Sequence, residues 1–318
     1  MYAPLNHDLI YILVDFSFFL YIKYMALSYA IVANPAAGNI SLDKKHRILK
    51  NAAKIMGARI YGLDTTSRQE FRECIRMLCS KYEVIIAAGG DGTFSDLINS
   101  INLSANIAGY LPMGTGNALR YALEYPRSVL LSANRIRYGN IHRLDLIKYS
   151  DARYAFMGSV GLEVEVVREY QRLRKKQAQS RLPYVLAGLK AIKEYAKGHL
   201  PLSVRIHIDG KEYLIKDAAS IIVTKQPYYG YGMKVIPGAR FDDGLLHVGI
   251  FPPGIINTIL MIILSFSIGN VIGVNYIARD AVLMEFSGNR DLHIDGELAG
   301  NASRVSFKLM EKALQMVI

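Results

Sequence analysis

The chain has 318 residues, and this length predicts two domains at roughly 100–200 residues per domain. Apolar residues make up 51 % of the chain and charged residues 20 %, a composition that excludes a largely disordered protein. The formal net charge of +11 favours polyanionic partners, namely nucleotides, nucleic acid or an anionic membrane surface. The two cysteines, Cys74 and Cys79, show neither a disulfide framework nor zinc-ligand spacing, so we expect reduced, partly buried thiols.

Residues 1–27 form an apolar N-terminal extension ahead of the first recognisable strand. The stretch 9–25 is aliphatic and aromatic but is interrupted by Asp15 and Lys23. It is short for a membrane-spanning helix, which needs about 20 apolar residues, and it lacks the cleavage site of a signal peptide. Three interpretations remain: a membrane-surface anchor, a helix packed on the body, or an upstream extension with Met25 as the functional start, which we favour.

Short apolar runs alternate with helical patterns between residues 28 and 143. The predicted strands are 29–33, 58–63, 83–88 and 107–111, and the predicted helices are 42–56, 69–82 and 94–101. Strands that alternate with helices indicate a three-layer α/β domain with a mostly parallel sheet.

The pattern changes in residues 144–311, where many short strands are separated by turn signals. The predicted strands are 144–148, 153–160, 203–208, 212–216, 219–224, 245–251 and 282–286, with helical stretches near 162–197 and 254–270. This pattern predicts an antiparallel β-sandwich domain after the α/β domain. We interpret the apolar stretch 254–277 as a buried or partly lipid-facing helix followed by a loop, not as a spanning helix.

A glycine-rich motif, Gly89-Gly90-Asp91-Gly92-Thr93, follows directly after the third predicted strand. Glycines let the backbone approach phosphate oxygens, and the next helix points its free N–H groups at the same place. Asp91 offers a carboxylate to Mg²⁺ or to a substrate hydroxyl, and Thr93 offers a hydroxyl donor. The alternative is a tight strand–helix turn with a solvated aspartate.

Two further loops follow strands of the same predicted sheet. They are Gly114-Thr115-Gly116-Asn117 and residues 34–38, which read Asn-Pro-Ala-Ala-Gly. Loops at the carboxyl edge of a parallel sheet converge on one crevice. Three such loops predict a nucleotide phosphate site, and they match neither the Walker A motif nor the dinucleotide-binding fingerprint.

With these motifs the chain resembles the diacylglycerol kinase catalytic-domain superfamily, which includes bacterial lipid kinases, sphingosine kinases and ceramide kinases. The matching segments occur in the family's order and cover about residues 28–318: 34–38, 89–93 with Asn99, 114–119, 161–163, 242–245 and 295–297. There are departures: Ala118 stands where many bacterial relatives have aspartate, Asp96 where glutamate is common, and Glu163 where aspartate is common.

The resemblance implies an ATP-dependent lipid kinase whose site is split across a cleft between the two domains. It also implies that a strand near residues 312–318 returns to the first domain. The residues implied to bind ATP are Asn34, Pro35, Gly38, Thr66, Gly89, Gly90, Asp91, Gly92, Thr93, Gly114, Thr115, Gly116 and Asn117. Asp295 or Glu297 is implied as the general base, with Asp91 as a further catalytic residue. Asp243 is implied to hold a structural Mg²⁺, helped by the backbone carbonyls of Arg240 and Leu245.

We therefore expect ATP and Mg²⁺ as cofactors and a diacylglycerol-like or sphingoid-like alcohol as substrate. We also expect a cytoplasmic protein with peripheral contact to a membrane surface and no nucleic-acid partner. Basic residues in the segment 168–181 and tyrosines in the segment 228–232 are candidates for contacts with lipid. The identity of the lipid and the formation of a homodimer stay open.

Two other functions remain as alternatives. NAD kinases share the GGDGT loop, so the phosphate acceptor could be NAD, although the segments 114–119, 242–244 and 295–297 favour the lipid branch. The second alternative is a catalytically inactive regulator that binds lipid or nucleotide, and the retained carboxylates argue against it.

Overall fold

The computed structural model describes residues 27–150, 153–174, 181–196 and 202–318. The predicted N-terminal extension lies, apart from its last residue, outside the described residues. Both cysteines are free and half-buried, as predicted.

The first domain is a parallel sheet of β1 Tyr29–Ala33, β2 Arg59–Tyr61, β3 Val84–Gly89 and β4 Ile107–Pro112, with helices packed against it. The strand order in this sheet is β4-β3-β1-β2. Strands β1, β3 and β4 are buried along their whole length, which explains why they read as continuous apolar runs. The helices of this domain are α1 Leu42–Met56, α2 Arg68–Leu78, α3 Asp91–Ile98, α4 Ala118–Ala122 and α5 Val129–Tyr138.

The predicted helix bounds agree with the observed ones where neighbouring residues cap the helix. Helix α1 has the predicted bounds because the Ser41 side chain accepts a hydrogen bond from the Lys44 amide and Gly57, with φ 66°, ends the helix. Helix α3 begins three residues earlier than predicted, since the Phe94 amide already donates to the Gly90 carbonyl. Within the glycine-rich motif, Gly89 therefore ends β3, Gly90 is the N-cap, and residues 91–93 form the first turn of α3. Helices α4 and α5 were not predicted.

The second domain is antiparallel around a separate apolar core, which confirms the predicted fold class. The strand predicted at 153–160 is two strands, because Phe156 leaves the ladder between them. The elements are β5 Ile141–Tyr149, β6 Arg153–Ala155, β7 Met157–Gly161, α6 Leu162–Arg174, α7 Arg181–Ala196, β8 Leu202–Ile208, β9 Lys211–Ala218, β10 Ser220–Thr224, a 3₁₀ turn Gly230–Gly232, β11 Leu246–Phe251, α8 Ile255–Phe266, β12 Val274–Ala278, β13 Ala281–Ile294 and β14 Glu297–Val317.

One long strand, β14, connects the two domains. Over its 21 residues it pairs with β13 and β5, and at its end Met316 pairs in parallel with Ala108 of β4. The β13–β14 turn at Asp295 and Gly296 is thereby connected to the first domain through a single strand.

Among the described residues, none of the helices is long and apolar enough to cross a membrane. Helix α8 has 12 residues and is followed by a loop and β12. Residues 254–277 thus contain the predicted helix and loop, and they also contain the start of β12, which was not predicted.

Candidate active site

A cavity of about 450 Å³ opens between the carboxyl edge of the parallel sheet and the β13–β14 turn. We call it the cleft. Its walls include these predicted site residues: Asn34, Pro35, Gly38, Thr66, Gly90, Asp91, Gly92, Thr93, Gly114, Thr115, Gly116, Asp295 and Glu297. Gly89 and Asn117 lie behind this wall and support it. The structure thus brings together residues that are up to 263 positions apart in the chain.

The first glycine loop, residues 89–93, and the second glycine loop, residues 114–117, touch backbone to backbone. A Cβ atom on Gly114 would lie 2.4 Å from the Gly90 Cα, a distance that no side chain tolerates. The amides of Met113 and Gly114 both donate to the Gly89 carbonyl, at 2.8 and 3.0 Å. The Asn117 side chain donates to the Gly114 carbonyl at 2.7 Å. The two loops therefore form one rigid floor for the cleft.

Asp91 joins these loops through its carboxylate. Its two oxygens accept hydrogen bonds from the amides of Ala118 and Leu119, at 2.9 and 3.0 Å, and so cap helix α4 from a different segment. Burial raises the pKa of Asp91, while these two hydrogen bonds oppose the rise. In this arrangement Asp91 positions the second loop, and its predicted contact with Mg²⁺ or substrate stays a prediction.

The third loop, residues 34–38, is held by Lys45. The Lys45 ammonium is fully buried and donates to the carbonyls of Asn34, Pro35 and Ala37, at 2.8, 2.7 and 2.7 Å. Burial lowers the pKa of Lys45. Sequence reasoning missed this residue, although it lies on the buried side of α1, one turn before Leu49.

Side-chain hydrogen bonds join the rest of the predicted ATP site. Asn34 donates to the Thr93 hydroxyl at 3.0 Å, which links the third loop to the first. The Thr66 hydroxyl and amide contact the Glu70 carboxylate at 3.0 and 2.8 Å. Ser67 caps helix α2, so Thr66 lies just before the helix and borders the cleft.

Asp295 lies at the β13–β14 turn, where it takes a left-handed φ of 47° and is followed by Gly296 at 86°. Its Oδ1 accepts from the amides of Phe156 and Met157, both at 3.0 Å, while its buried Oδ2 has no partner. Burial raises the pKa of Asp295 to about 6, against the opposing Arg153 guanidinium and the two amides. An ionisable oxygen that is buried and unpartnered at a cleft is suited to accept a proton.

Glu297, the other candidate base, is held by two arginines. Its oxygens contact Arg68 at 2.8 Å and Arg153 at 3.1 Å. Arg68 also contacts Asp96 at 2.7 Å, so it connects α2, α3 and β14. Both Glu297 oxygens are occupied by guanidinium groups, which makes Glu297 a connection between the two domains.

His293 supports the Asp295 turn from behind. Its Nε2 accepts from the Gly296 amide at 2.7 Å, so its proton lies on Nδ1 and is directed to the Ser159 hydroxyl at 2.9 Å. Burial lowers the pKa of His293 to about 3, and Arg153 acts in the same direction. The sequence assigned no role to any histidine, because this one has no ligand spacing and only its strand position places it near Asp295.

The three residues predicted to hold a structural Mg²⁺ do not border the cleft. The Lys225 ammonium donates to the Asp243 carboxylate at 2.5 Å and to the Leu245 carbonyl at 2.6 Å. The Arg240 guanidinium contacts Asp242 at 3.2 Å. Two of the three oxygen donors predicted for the ion, the Asp243 carboxylate and the Leu245 carbonyl, are therefore occupied by a lysine ammonium, and this arrangement does not fit a metal.

Comparison with known proteins agrees with this geometry. Residues 28–149 match the diacylglycerol kinase catalytic domain, and residues 157–318 match the YegS C-terminal NAD kinase beta sandwich-like domain. The chain belongs to the diacylglycerol kinase catalytic-domain family. The resemblance predicted from the motifs is confirmed.

Individual relatives are distant. The diacylglycerol kinase of Staphylococcus saprophyticus is 28 % identical over 174 residues, which are 54 % of this chain and 55 % of the relative. That of Staphylococcus aureus strain Newman is 26 % identical over 174 residues, 54 % of this chain and 53 % of the relative. The matched segment thus spans about half the length of these curated relatives.

Solved structures extend the likeness of fold to nearly the whole chain. A putative diacylglycerol kinase from Bacillus anthracis str. Sterne has a TM-score of 0.75 at 21 % identity, over 91 % of this chain and 96 % of the other. Another solved structure of a putative diacylglycerol kinase from that organism has a TM-score of 0.70 at 20 % identity, over 91 % of this chain and 97 % of the other. The TM-scores show a shared fold, and sequence identities this low show nothing more than that fold.

Proposed function

We propose that this protein is an ATP-dependent lipid kinase that transfers the γ-phosphate to a lipid hydroxyl. The observation that carries the proposal is the unpartnered Oδ2 of Asp295. It lies across the cleft from the three loops that are expected to bind phosphate, residues 34–38, 89–93 and 114–117. Family membership supports the same reaction. The acceptor is a diacylglycerol-like or sphingoid-like alcohol.

An apolar cavity of about 240 Å³ adjoins the cleft and supports a lipid acceptor. It lies between helices α6, α7 and α8, where Leu162, Leu189 and Ile262 are among its walls. Tyr229 borders both this cavity and the cleft. A lipid whose chain lies in the apolar cavity would present its polar end to the cleft, beside Asp295.

Phosphoryl transfer needs positioning, charge neutralisation and a base. The acceptor oxygen forms a bond to the γ-phosphorus, the bond from that phosphorus to the β–γ bridging oxygen breaks, and ADP leaves with the electron pair. The hydroxyl proton passes to Oδ2 of Asp295. Mg²⁺ bound to ATP would supply neutralisation of the phosphate charge, and the rigid floor built on Gly90, Gly114 and Asp91 would hold the nucleotide.

One assay tests the reaction class. Purified protein is incubated with γ-labelled ATP and Mg²⁺, in parallel with total lipid extract, diacylglycerol, a sphingoid base or NAD. A labelled lipid is the expected product, and the arm that gives it names the acceptor. Labelled NADP as the product would show that the protein is an NAD kinase. Binding of ATP and vesicles without turnover of any acceptor would indicate an inactive regulator.

The pH dependence of kcat/KM should follow the ionisation of the Asp295 carboxyl group. The base must be ionised, and burial places its pKa at about 6, so kcat/KM should rise about tenfold per pH unit below pH 6 and level off above it. Initial rates at constant ionic strength measure this profile. A profile that stays flat between pH 5 and pH 8 would show that another group takes the proton.

Helix α8 supports contact with a membrane surface. Its buried residues are the polar Thr258 and Ser265, whereas Ile256 and Ile263 are 75 % and 57 % exposed. Val271, in the loop after α8, and Val274, at the start of β12, are also mostly exposed. A helix with polar residues inside and aliphatic residues outside is stable in contact with lipid, and the net charge of +11 favours anionic headgroups.

The basic segment 168–181 adds less to this surface than the sequence suggested. Arg168 contacts Glu165 and Asp291, and Arg172 contacts Glu169. The side chains of residues 174–181 lie outside the described part of the chain.

The Ile256→Ser and Ile263→Ser double variant should bind anionic phosphatidylglycerol vesicles about 10–30-fold more weakly, since each substitution removes about 1 kcal/mol of apolar contact. Vesicle co-sedimentation measures the change. Met77→Ser is the matched control, because Met77 is 64 % exposed but lies on α2 in the first domain. Equal vesicle binding by all three proteins would exclude α8 as the docking surface.

A further inference from the structure

We propose that the Lys225 ammonium takes the place of a structural divalent cation in this chain, so that the region around Asp243 needs no bound metal. Lys225 follows directly after β10 and is fully buried. Its Nζ donates to three oxygens: Asp243 Oδ1 at 2.5 Å, the Leu245 carbonyl at 2.6 Å and Asp145 Oδ2 at 2.9 Å.

The stoichiometry of this cluster is complete. A lysine ammonium has three donors, and here each has one oxygen acceptor. The remaining oxygens of the two carboxylates are also occupied. Asp145 Oδ1 accepts from the Lys312 amide at 2.8 Å, and Asp243 Oδ2 contacts His247 Nε2 at 2.7 Å.

The charges lead to the same conclusion. The buried carboxylate of Asp145 and the partly buried carboxylate of Asp243 require a cation, and Lys225 supplies one from the chain itself. Mg²⁺ needs about six oxygens at roughly 2.0–2.1 Å in an octahedron, whereas this ammonium is satisfied by three at hydrogen-bond distance. A divalent ion added here would sit against the ammonium. Among the described residues, no cluster of three or more His, Cys, Asp or Glu side chains could hold a metal.

The position of the cluster gives it a structural consequence. Asp145 lies on β5 and holds the Lys312 amide in β14, the strand that joins the two domains. The Lys225 amide donates to the Phe156 carbonyl, and the Phe156 amide donates to Asp295. Lys225 therefore joins the domain connection to the backbone that positions Asp295, and this connection is independent of the Mg²⁺ concentration.

The wild-type protein without nucleotide provides the first test. Its unfolding midpoint should agree within about 1 °C between EDTA and millimolar Mg²⁺, because a ligand stabilises only a state that binds it. Crystals soaked in Mn²⁺ without nucleotide should show no anomalous peak between Asp243 and Leu245. A peak there would overturn the proposal, and this test needs no variant and no turnover.

Lys225→Ala provides the second test. It leaves Asp145 and Asp243 without a cation, so the midpoint in EDTA should fall by about 5–10 °C. Millimolar Mg²⁺ or Ca²⁺ should restore part of that loss by entering the vacated space. Lys308→Ala, at an exposed lysine on β14, should show neither effect. An unchanged midpoint for Lys225→Ala in EDTA would contradict the proposal.

Discussion

Replacing Asp295 with asparagine should lower kcat by about 10²–10⁴-fold, the usual contribution of a general base. Asparagine keeps an Oδ1 acceptor for the amides of Phe156 and Met157, so the turn should keep its conformation. It replaces Oδ2 with an NH₂ group that cannot accept a proton. Steady-state rates at saturating ATP measure the loss, and KM for ATP should change little.

The same variant should make the protein more stable above pH 6. The pKa of Asp295 is about 6 in the folded protein and 3.8 ordinarily, so the folded state binds more protons between these values. The free energy of unfolding therefore falls as pH rises from about 4 to 6. Asp295→Asn removes this dependence and should raise the free energy of unfolding by about 1–3 kcal/mol at pH 8, but not at pH 3.5.

Glu297→Gln is the matched control. Its carboxylate contacts Arg68 and Arg153, so the variant should weaken the connection between the domains and retain most of kcat. Near-normal activity in Asp295→Asn, together with inactivity in Glu297→Gln, would reverse the two roles. Inactivity in both variants with unchanged unfolding curves would mean that both carboxylates act on the substrate.

Gly114→Ala should weaken ATP binding by about 10–100-fold. The new Cβ would lie 2.4 Å from the Gly90 Cα and 2.6 Å from Asn117 Oδ1, so the first and second glycine loops must separate. Overpacking of this kind costs about 1–3 kcal/mol, and the loops that separate are those expected to bind phosphate. Calorimetric titration with a non-hydrolysable ATP analogue measures the affinity.

Gly238→Ala is the control for this substitution. A Cβ at Gly238 meets no atom within 4 Å, and its backbone does not need a left-handed φ. Its affinity for the analogue should equal that of the wild type. Wild-type affinity in Gly114→Ala would mean that the nucleotide does not depend on contact between the two loops.

The amino-acid sequence was most informative where the physical cause is local. Helix α1 begins after Ser41 and ends at Gly57 because both caps are built from neighbouring residues. The buried strands β1, β3 and β4 could also be predicted, because a parallel strand that is buried on both faces is a continuous apolar run in the sequence. The order of the glycine motifs predicted the family, and a parallel sheet brings such loops to one edge.

The structure decided whatever depends on contacts between distant segments. The sequence alone could not distinguish Asp295 from Glu297 as the base. Strand pairing places Asp295 beside two backbone amides and Glu297 beside two arginines. Lys45 and His293 gained their roles from tertiary packing alone.

Asp243 shows the same division most clearly. The sequence by itself determined that an acidic turn lies at residues 242–244, and the family resemblance predicted a cation beside it. Only the tertiary structure decided which cation, because β10 brings the Lys225 ammonium between Asp243 and Asp145. The free energy of a buried carboxylate depends on the charge that fold topology places next to it, and spacing along the chain does not report that charge.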